Sequence, residues 1–466
     1  MSTECTQKSF GFHHHFQRKV EANFEGGTIS SHGGGVLLRE VDCQLSLVER
    51  LASCFEDGRD PKRIEHRVEE LVGQRVYGLA LGYEDLNDHD DLCRDPLLAL
   101  LAGKRDVEGQ ERRRQEDRGK PLAGKSTLNR LELSGEEVGE GERYKKIAFD
   151  QEQADRLLVE LYVEAQESPP EEVVLDLDAT DDPVHGSQEG RFFHGYYGHY
   201  CYLPLYIFAG RHLLCARLRP SNIDASAGAL EEVERIVAQL REHWPEVRIT
   251  LRGDSGFCRD GLMTWAEANG VDYVFGLAKN ERLKRRLEQS MAEARAQYEQ
   301  RGEAARVFAD FEYRTRKSWS RQRRVVGKAE YLAKGENPRF VVTSFSAGCW
   351  EKQALYEKLY CARGEMENRI KEQQMELFSD RTSTQAMASN QLRLYFSAFA
   401  YLMMEGLRRL ALRGTRMARA QCGTIRLRLL RIGALIRISV RRVLIALTSG
   451  CPDADVFERA WAALRC

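Results

Sequence analysis

The sequence lacks paired cysteines, a long apolar run and a leader-like opening. Twelve cysteines are scattered along 466 residues without a single C-x-x-C pair. That spacing argues against a disulfide framework or a structural zinc, and for reduced thiols in a cytoplasmic setting. No apolar run reaches the ~18 residues a membrane span needs. The opening MSTECTQKSFGFHHHFQRKV has no apolar core of the kind a secretory signal carries, and its three histidines read as a solvated tail. A membrane partner is therefore not expected. Acidic residues are also missing from one long stretch: between Gly406 and Pro452 there is no Asp or Glu, while eleven arginines run from Arg408 to Arg442. Although the whole chain carries a net charge of only −1, a block of one sign eases approach to a polyanion.

What is present describes a globular chain. Hydrophobic residues make up 42% and charged residues 30%, and the length suits about three domains. Residues 1–150 read as a helical N-terminal region, with LSLVERLASCF and RIEHRVEELVGQRVYGLALGY repeating at helical spacing. A polar linker interrupts it at about 103–120. From Glu172 the texture becomes strand-rich: VVLDLDAT, CYLPLYIFAG and LLCARLRP, then a long amphipathic helix, then VRITLRGDSGF, DGLMTWAEANG and VDYVFGLAK. Three strands, helix, strand, helix, strand is the order of an α/β fold with a mixed sheet. Residues 151–280 thus form the first part of a core, 281–350 a β-rich insertion, 351–390 a further core helix, and 391–466 a helical, arginine-rich tail.

One motif invites a different reading. GKPLAGKST, Gly119 to Thr127, matches the phosphate-loop pattern G-x-x-x-x-G-K-[ST]. Such a loop needs an apolar strand feeding into it, and Arg112 to Arg118 are all polar. The alternative is a short helix capped by Ser126 or Thr127, with Lys125 touching a DNA phosphate rather than a nucleotide. A P-loop ATPase using Gly119 to Ser126 is accordingly the weaker reading, and no nucleotide cofactor is expected.

Stronger chemistry lies at the strand ends. In VVLDLDAT, Asp176 and Asp178 are two apart and project from one face of a strand. Two carboxylates ending an apolar strand are costly unless a cation neutralises them, and hard divalent cations suit oxygen ligands; a strand end running into an Asx-type turn at ATDDP is the equal alternative. LRGDSGF places Asp254 after a second strand, beside Arg252. In LYCARGEMENRIKEQQ, Tyr360, Arg363, Glu367 and Lys371 fall on one stripe if the segment is a continuous α-helix. A surface salt-bridge ladder explains the same spacing. Three acids on two strand ends and a helix, without a serine–histidine grouping, suit two-metal phosphoryl transfer. A glycosidase using paired acids is a more distant alternative. The aromatic run from Phe192 to Tyr200 reads either as packing or as a stacking surface for unpaired bases.

The combination of LDLDATDDPVHGSQEGRFFHGYYG, LRGDSGF and Y-x2-R-x3-E at Tyr360, Arg363 and Glu367 resembles the bacterial DDE insertion-sequence transposases, in particular the 1380 family of insertion sequences. The resemblance implies an RNase H-like catalytic core interrupted by a β-rich insertion. It implies Asp178, Asp254 and Glu367 as catalytic metal ligands, with Asp176 the alternative first ligand, and Mg²⁺ or Mn²⁺ as the cofactor, as a pair of ions. It further implies cleavage at element ends and transfer of the 3′-hydroxyl into target DNA by a homodimer acting on terminal inverted repeats, in a bacterial, nucleoid-associated setting. DNA contacts fall to Tyr360, Arg363, Lys371, Arg252 and Lys125. Relatives often place a lysine seven residues after the glutamate, where this chain has Gln374; Lys371 is the stand-in. An inactive or domesticated DNA-binding relative is the remaining alternative.

Overall fold

The computed structural model describes residues 9–135, 137 and 146–465. The chain divides into two compact units: Met1–Val48, Asp60–Asn129 and Gly406–Cys466 form one, and Glu49–Arg59 with Arg130–Glu405 form the other. Most of the acidic stretch Glu136 to Glu142 lies outside the described residues.

The larger unit is organised by one sheet. Its principal strands are β1 (Glu172–Ala179), β2 (Leu205–Ala209), β3 (His212–Arg217), β4 (Arg248–Gly253), β5 (Asp272–Leu277), β6 (Ala305–Tyr313), β7 (Arg323–Leu332) and β8 (Arg339–Thr343), in the spatial order β3-β2-β1-β4-β5-β8-β7-β6. β4 runs parallel to both β1 and β5, whereas β2 is antiparallel to β1 and β3. Period-two alternation explains β1: Val173, Leu175 and Leu177 enter the apolar core, leaving Val174, Asp176 and Asp178 on the other face. Burying each such aliphatic side chain contributes roughly 1.5–3 kcal/mol. Helices α1 (Gln151–Glu164), α2 (Ala229–His243), α3 (Asp260–Ala268) and α4 (Glu281–Arg301) pack residues into that same core. In α2, Val233, Ile236, Val237 and Leu240 do so at helical spacing.

In 281–350, expected as a β-rich insertion, the charged run after Asn280 forms the long helix α4, and the strands that follow extend the central sheet. β8 pairs with β5, aligning Val274 with Thr343 and Leu277 with Phe340. The edge hydrogen bonds of β5 are thereby satisfied by a strand some sixty residues downstream, a pairing that local composition does not reveal.

In the smaller unit, Val68–Leu81 is a nearly all-buried helix, joined by Val36–Leu45 and Pro96–Leu101. The expected all-helical tail is corrected here. Ala434–Ser439 and Arg442–Leu447 form an antiparallel strand pair, and the strand Ile29–Ser30 adds to it through Ile29↔Leu435 and Ser30↔Ala434. The reason is visible in the alternation of Ile436, Arg437, Ile438 and Ser439, a strand period. Several arginines of the basic block are engaged within the unit. Arg426 and Arg431 donate to the carbonyls of Ala80 and Leu81 at the end of the long helix, while Arg416 and Arg428 pair with Asp453. Arg437, Arg441 and Arg442 on the strand pair are exposed.

Among the described residues no helix is long and apolar enough to cross a membrane.

Candidate active site

The phosphate-loop motif meets no strand. Only a turn of 3-10 helix, Gln115–Asp117, precedes Gly119. The following helix starts at Lys125 itself rather than after a Ser126 or Thr127 cap. Its first amide donates to Asp90 Oδ1 at 3.0 Å, and Lys125 Nζ lies 3.3 Å from Asp90 Oδ2 and 3.1 Å from Asn87 Oδ1. The position a phosphate would take at the helix start is held by a carboxylate.

The two acids of β1 have different surroundings. Asp176 is buried and receives two hydrogen bonds from Arg252, Nε to Oδ1 at 2.5 Å and Nη2 to Oδ2 at 2.7 Å. Arg252 also donates to the Leu359 carbonyl at 2.7 Å. Burial raises the Asp176 carboxyl, against the pull of Arg252. This bidentate pair occupies both partners. Arg252, expected at the DNA surface, is buried, and Asp176 has its oxygens engaged.

Asp178 is not matched in this way. The parallel register pairs Arg252 with Asp176 and Gly253 with Leu177, so the next step along both strands sets Asp254 alongside Asp178. Asp254 closes an Asx turn, accepting from Gly256 N at 2.8 Å. Glu367 stands in the first turn of α5 (Gly364–Leu377), where the helix dipole favours a carboxylate. Arg363 joins the group: Nη2 lies 2.6 Å from Glu367 Oε1, and Nη1 lies 3.8 Å from Asp178 Oδ1. Burial pushes the Asp178 carboxyl up to about 7, with Arg363 opposing and the Asp254 and Glu367 carboxylates adding to the rise. Burial works against the Arg363 charge, yet Asp178 and Glu367 outweigh it and hold the guanidinium above its ordinary value. The three sequence-predicted acids and Arg363 thus share one electrostatic neighbourhood.

The segment leading into α5 is not the continuous α-helix the stripe assumed. Leu355–Tyr360 is wound as a π-helix, Cys361–Arg363 as a 3-10 turn, and only from Gly364 is the helix regular. Such windings change the angle between successive side chains, so Tyr360 takes a place that 100° steps do not predict. Its hydroxyl lies against Gly276 of β5, where an added Cβ would sit 2.7 Å from Tyr360 Oη and 2.9 Å from Ser255 N. Burial raises the Tyr360 hydroxyl, with Arg363 lowering it and Asp254 raising it further. Gly276 is therefore a site residue that motif reading missed. A glycine inside the apolar run VDYVFGLAK was the available signal, since strand glycines mark close backbone approach. Lys371 is exposed on α5, while Gln374 donates to the Asp181 carbonyl at 3.0 Å.

Residues 12–466 match the family described as Transposase DDE domain group 1. No curated protein sequence matches the chain. A cryo-EM structure of a piggyBac transposase synaptic complex with hairpin DNA is similar at 11% identity and a TM-score of 0.41, over 85% of this chain and 79% of that one. The family match spans nearly the full length, and the chain belongs to the group 1 DDE-domain transposases.

Proposed function

We propose that this transposase cuts DNA at the ends of its own element and joins the freed 3′-hydroxyl to target DNA at a single acid cluster. The observation that carries the reading is that the Asp254 and Glu367 carboxylates lie within electrostatic reach of Asp178, with Arg363 2.6 Å from Glu367 and 3.8 Å from Asp178. The strand order β3-β2-β1-β4-β5, with β1, β4 and β5 parallel, supports an RNase H-like core carrying these acids.

The donor set fits hard divalent cations. It offers carboxylate oxygens only, without thiolate or imidazole in the cluster, and its negative charge exceeds what Arg363 supplies. Asp178, Asp254 and Glu367 would hold Mg²⁺ or Mn²⁺, as a pair of ions. When bound, these activate the attacking oxygen and stabilise the charge on the leaving one. The chain's own residues do the positioning. β1 and β4 fix two acids at neighbouring strand ends, and the bidentate Arg252–Asp176 pair locks those strands together just behind them. Arg252 is accordingly a positioning residue and not a DNA contact. Arg363 orients Glu367 and meets the scissile phosphate's non-bridging oxygens. Tyr360 shapes the wall beside Asp254, and Lys371 follows the DNA backbone further along α5.

Exposed Arg437, Arg441 and Arg442 offer phosphate contacts in the smaller unit, so DNA binding should weaken steeply with salt. Lys125, paired with Asp90, is a lesser contact. Two element ends must be joined, which calls for at least a homodimer. A bacterial insertion sequence of the 1380 type, acting at the nucleoid, is the setting this reading favours.

The test is incubation with terminal-repeat DNA and Mn²⁺, followed by strand mapping. Wild-type protein should nick at the element end and stop when EDTA is added. Asp254→Ala should bind that end and leave it uncut. Normal cutting by Asp254→Ala would overturn the assignment.

A further inference from the structure

Between β1 and β2 the chain leaves the central sheet and makes a small one of its own from Asp182–Pro183, Phe192–His194 and His199–Tyr202. Cys201 and Tyr202 are fully buried and anchor it. Around them it carries large aromatic groups in the open. Phe192, Phe193 and Tyr200 are roughly half exposed, and Tyr196 at the turn is 86% exposed. Phe193 and Tyr200 face each other directly across the strands, with ring centroids 5.6 Å apart. The Arg191 guanidinium lies 4.6 Å over the Tyr200 ring. Four exposed aromatic rings within nine residues leave apolar area in water that folding gains nothing from.

The platform is firmly held. Glu189 N donates to the Gln385 carbonyl and Gln385 Nε2 to the Ser187 carbonyl, both at 3.0 Å. Tyr202 Oη donates to the Glu189 carbonyl at 2.6 Å, and Ser221 Oγ to the Phe192 carbonyl at 2.9 Å. It also begins at the acids. Tyr197 Oη donates to the carbonyl of Ala179, the residue after Asp178, at 3.4 Å, and the Asp178 and Asp254 carboxylates lie within electrostatic reach of that hydroxyl.

We propose that this aromatic hairpin is a stacking platform for unpaired bases of the DNA end beside the cleavage point. Single-stranded nucleic acid is held by aromatic faces for bases together with a cation for the backbone. The hairpin offers Phe193, Tyr196 and Tyr200 for the first and Arg191 for the second, next to the residues that cut. This rests on the transposase reading above, because it takes the acid cluster to be where a DNA strand is opened.

The test uses the full chain, with Ca²⁺ replacing the activating ion so that nothing is cut. The probes are a fully paired duplex and the same duplex with a short single-stranded tail containing the fluorescent base aminopurine. Wild type should bind the tailed probe more tightly and quench the aminopurine. Tyr196→Ala and Phe193→Ala, at exposed positions, should each lose roughly 5- to 150-fold of the tailed-probe affinity with duplex affinity unchanged, and Tyr196→Trp should restore it. If wild type nicks duplex ends with Mn²⁺ yet shows no tail preference, the stacking role is wrong and the transposase reading stands. If instead Tyr196→Ala changes the oligomeric state and leaves tail binding intact, the hairpin is a protein interface and the proposal is overturned. Failure of the wild type to bind or nick any DNA would sink the transposase reading itself.

Discussion

Two acid–arginine clusters in the larger unit differ in a way that separates structure from chemistry. Around Arg323, a buried guanidinium bonds Asp260 at 2.7 Å and Glu267 at 2.7 Å, and Arg321 adds a second cation 3.3 Å from Glu267. Burial opposes their charge, but hydrogen bonds from Ser320 N and Arg323 to Asp260, and from Arg323 and Tyr273 to Glu267, win, and both carboxyls settle below their ordinary range. Around Asp178, three carboxylates share one arginine, and burial pushes a carboxyl up to about 7 instead. Two acids with two arginines neutralise themselves; three acids with one arginine leave negative charge that the proposed divalent ions would offset. The Arg252–Asp176 pair matches one acid with one arginine next to the second cluster, although burial still raises its carboxyl.

The sharpest way to break this contrast is Glu367→Gln. It should reduce metal-dependent cleavage by at least about 1000-fold while leaving the thermal midpoint unchanged, since Glu367 is half exposed. A fall in both together would make Glu367 a fold residue. Arg323→Ala should do the reverse, destabilising the protein by about 3–5 kcal/mol in urea unfolding because it strands two carboxylates. Cleavage per folded molecule should stay normal. Gly276→Ala falls between the two. The added methyl must displace Tyr360 or the Asp254 turn, so cleavage should drop about 10- to 100-fold with a stability loss of about 1–3 kcal/mol. Wild-type rates would show that the close approach has no bearing on the site.

The smallest effect concerns Asp182, a buried acid neither of whose oxygens meets a donor in good hydrogen-bond geometry among the described residues, although Thr382 lies close enough to offset part of its burial. Burial pushes its carboxyl up to about 8. A carboxyl that titrates higher when folded than when unfolded lowers stability progressively as pH rises from about 4 to 8. Asp182→Asn should therefore match wild type near pH 4 and exceed it by about 1–3 kcal/mol near pH 8. Unfolding curves at the two pH values check this, and an equal offset at both would contradict it.

Much of the site was legible because it is local. VVLDLDAT and LRGDSGF each pair an apolar alternating run with acids at its end, and both became neighbouring strands of one sheet. What was not legible depends on partners distant in the chain. Arg252 reads as an exposed strand-end cation until register sets it opposite Asp176. The strands of 305–343 read as an insertion until β8 is seen to complete β5. Arg426 and Arg431 read as free positive charge until the helix end they cap is folded beside them. The π-winding before Tyr360 has no compositional signature at all. The strand pair at 434–447 is different, because Ile-Arg-Ile-Ser carried its period openly and was overridden by the helical texture around it.

The central claim, that the three acids form one cation site, is tested most directly by loading the protein with Fe²⁺ and mapping where locally generated hydroxyl radicals cut the polypeptide. The account predicts cuts close to Asp178, Asp254 and Glu367 together, suppressed by excess Mg²⁺ and all lost in Asp254→Asn. Cuts confined to one of these positions, or unaffected by Asp254→Asn, would contradict it.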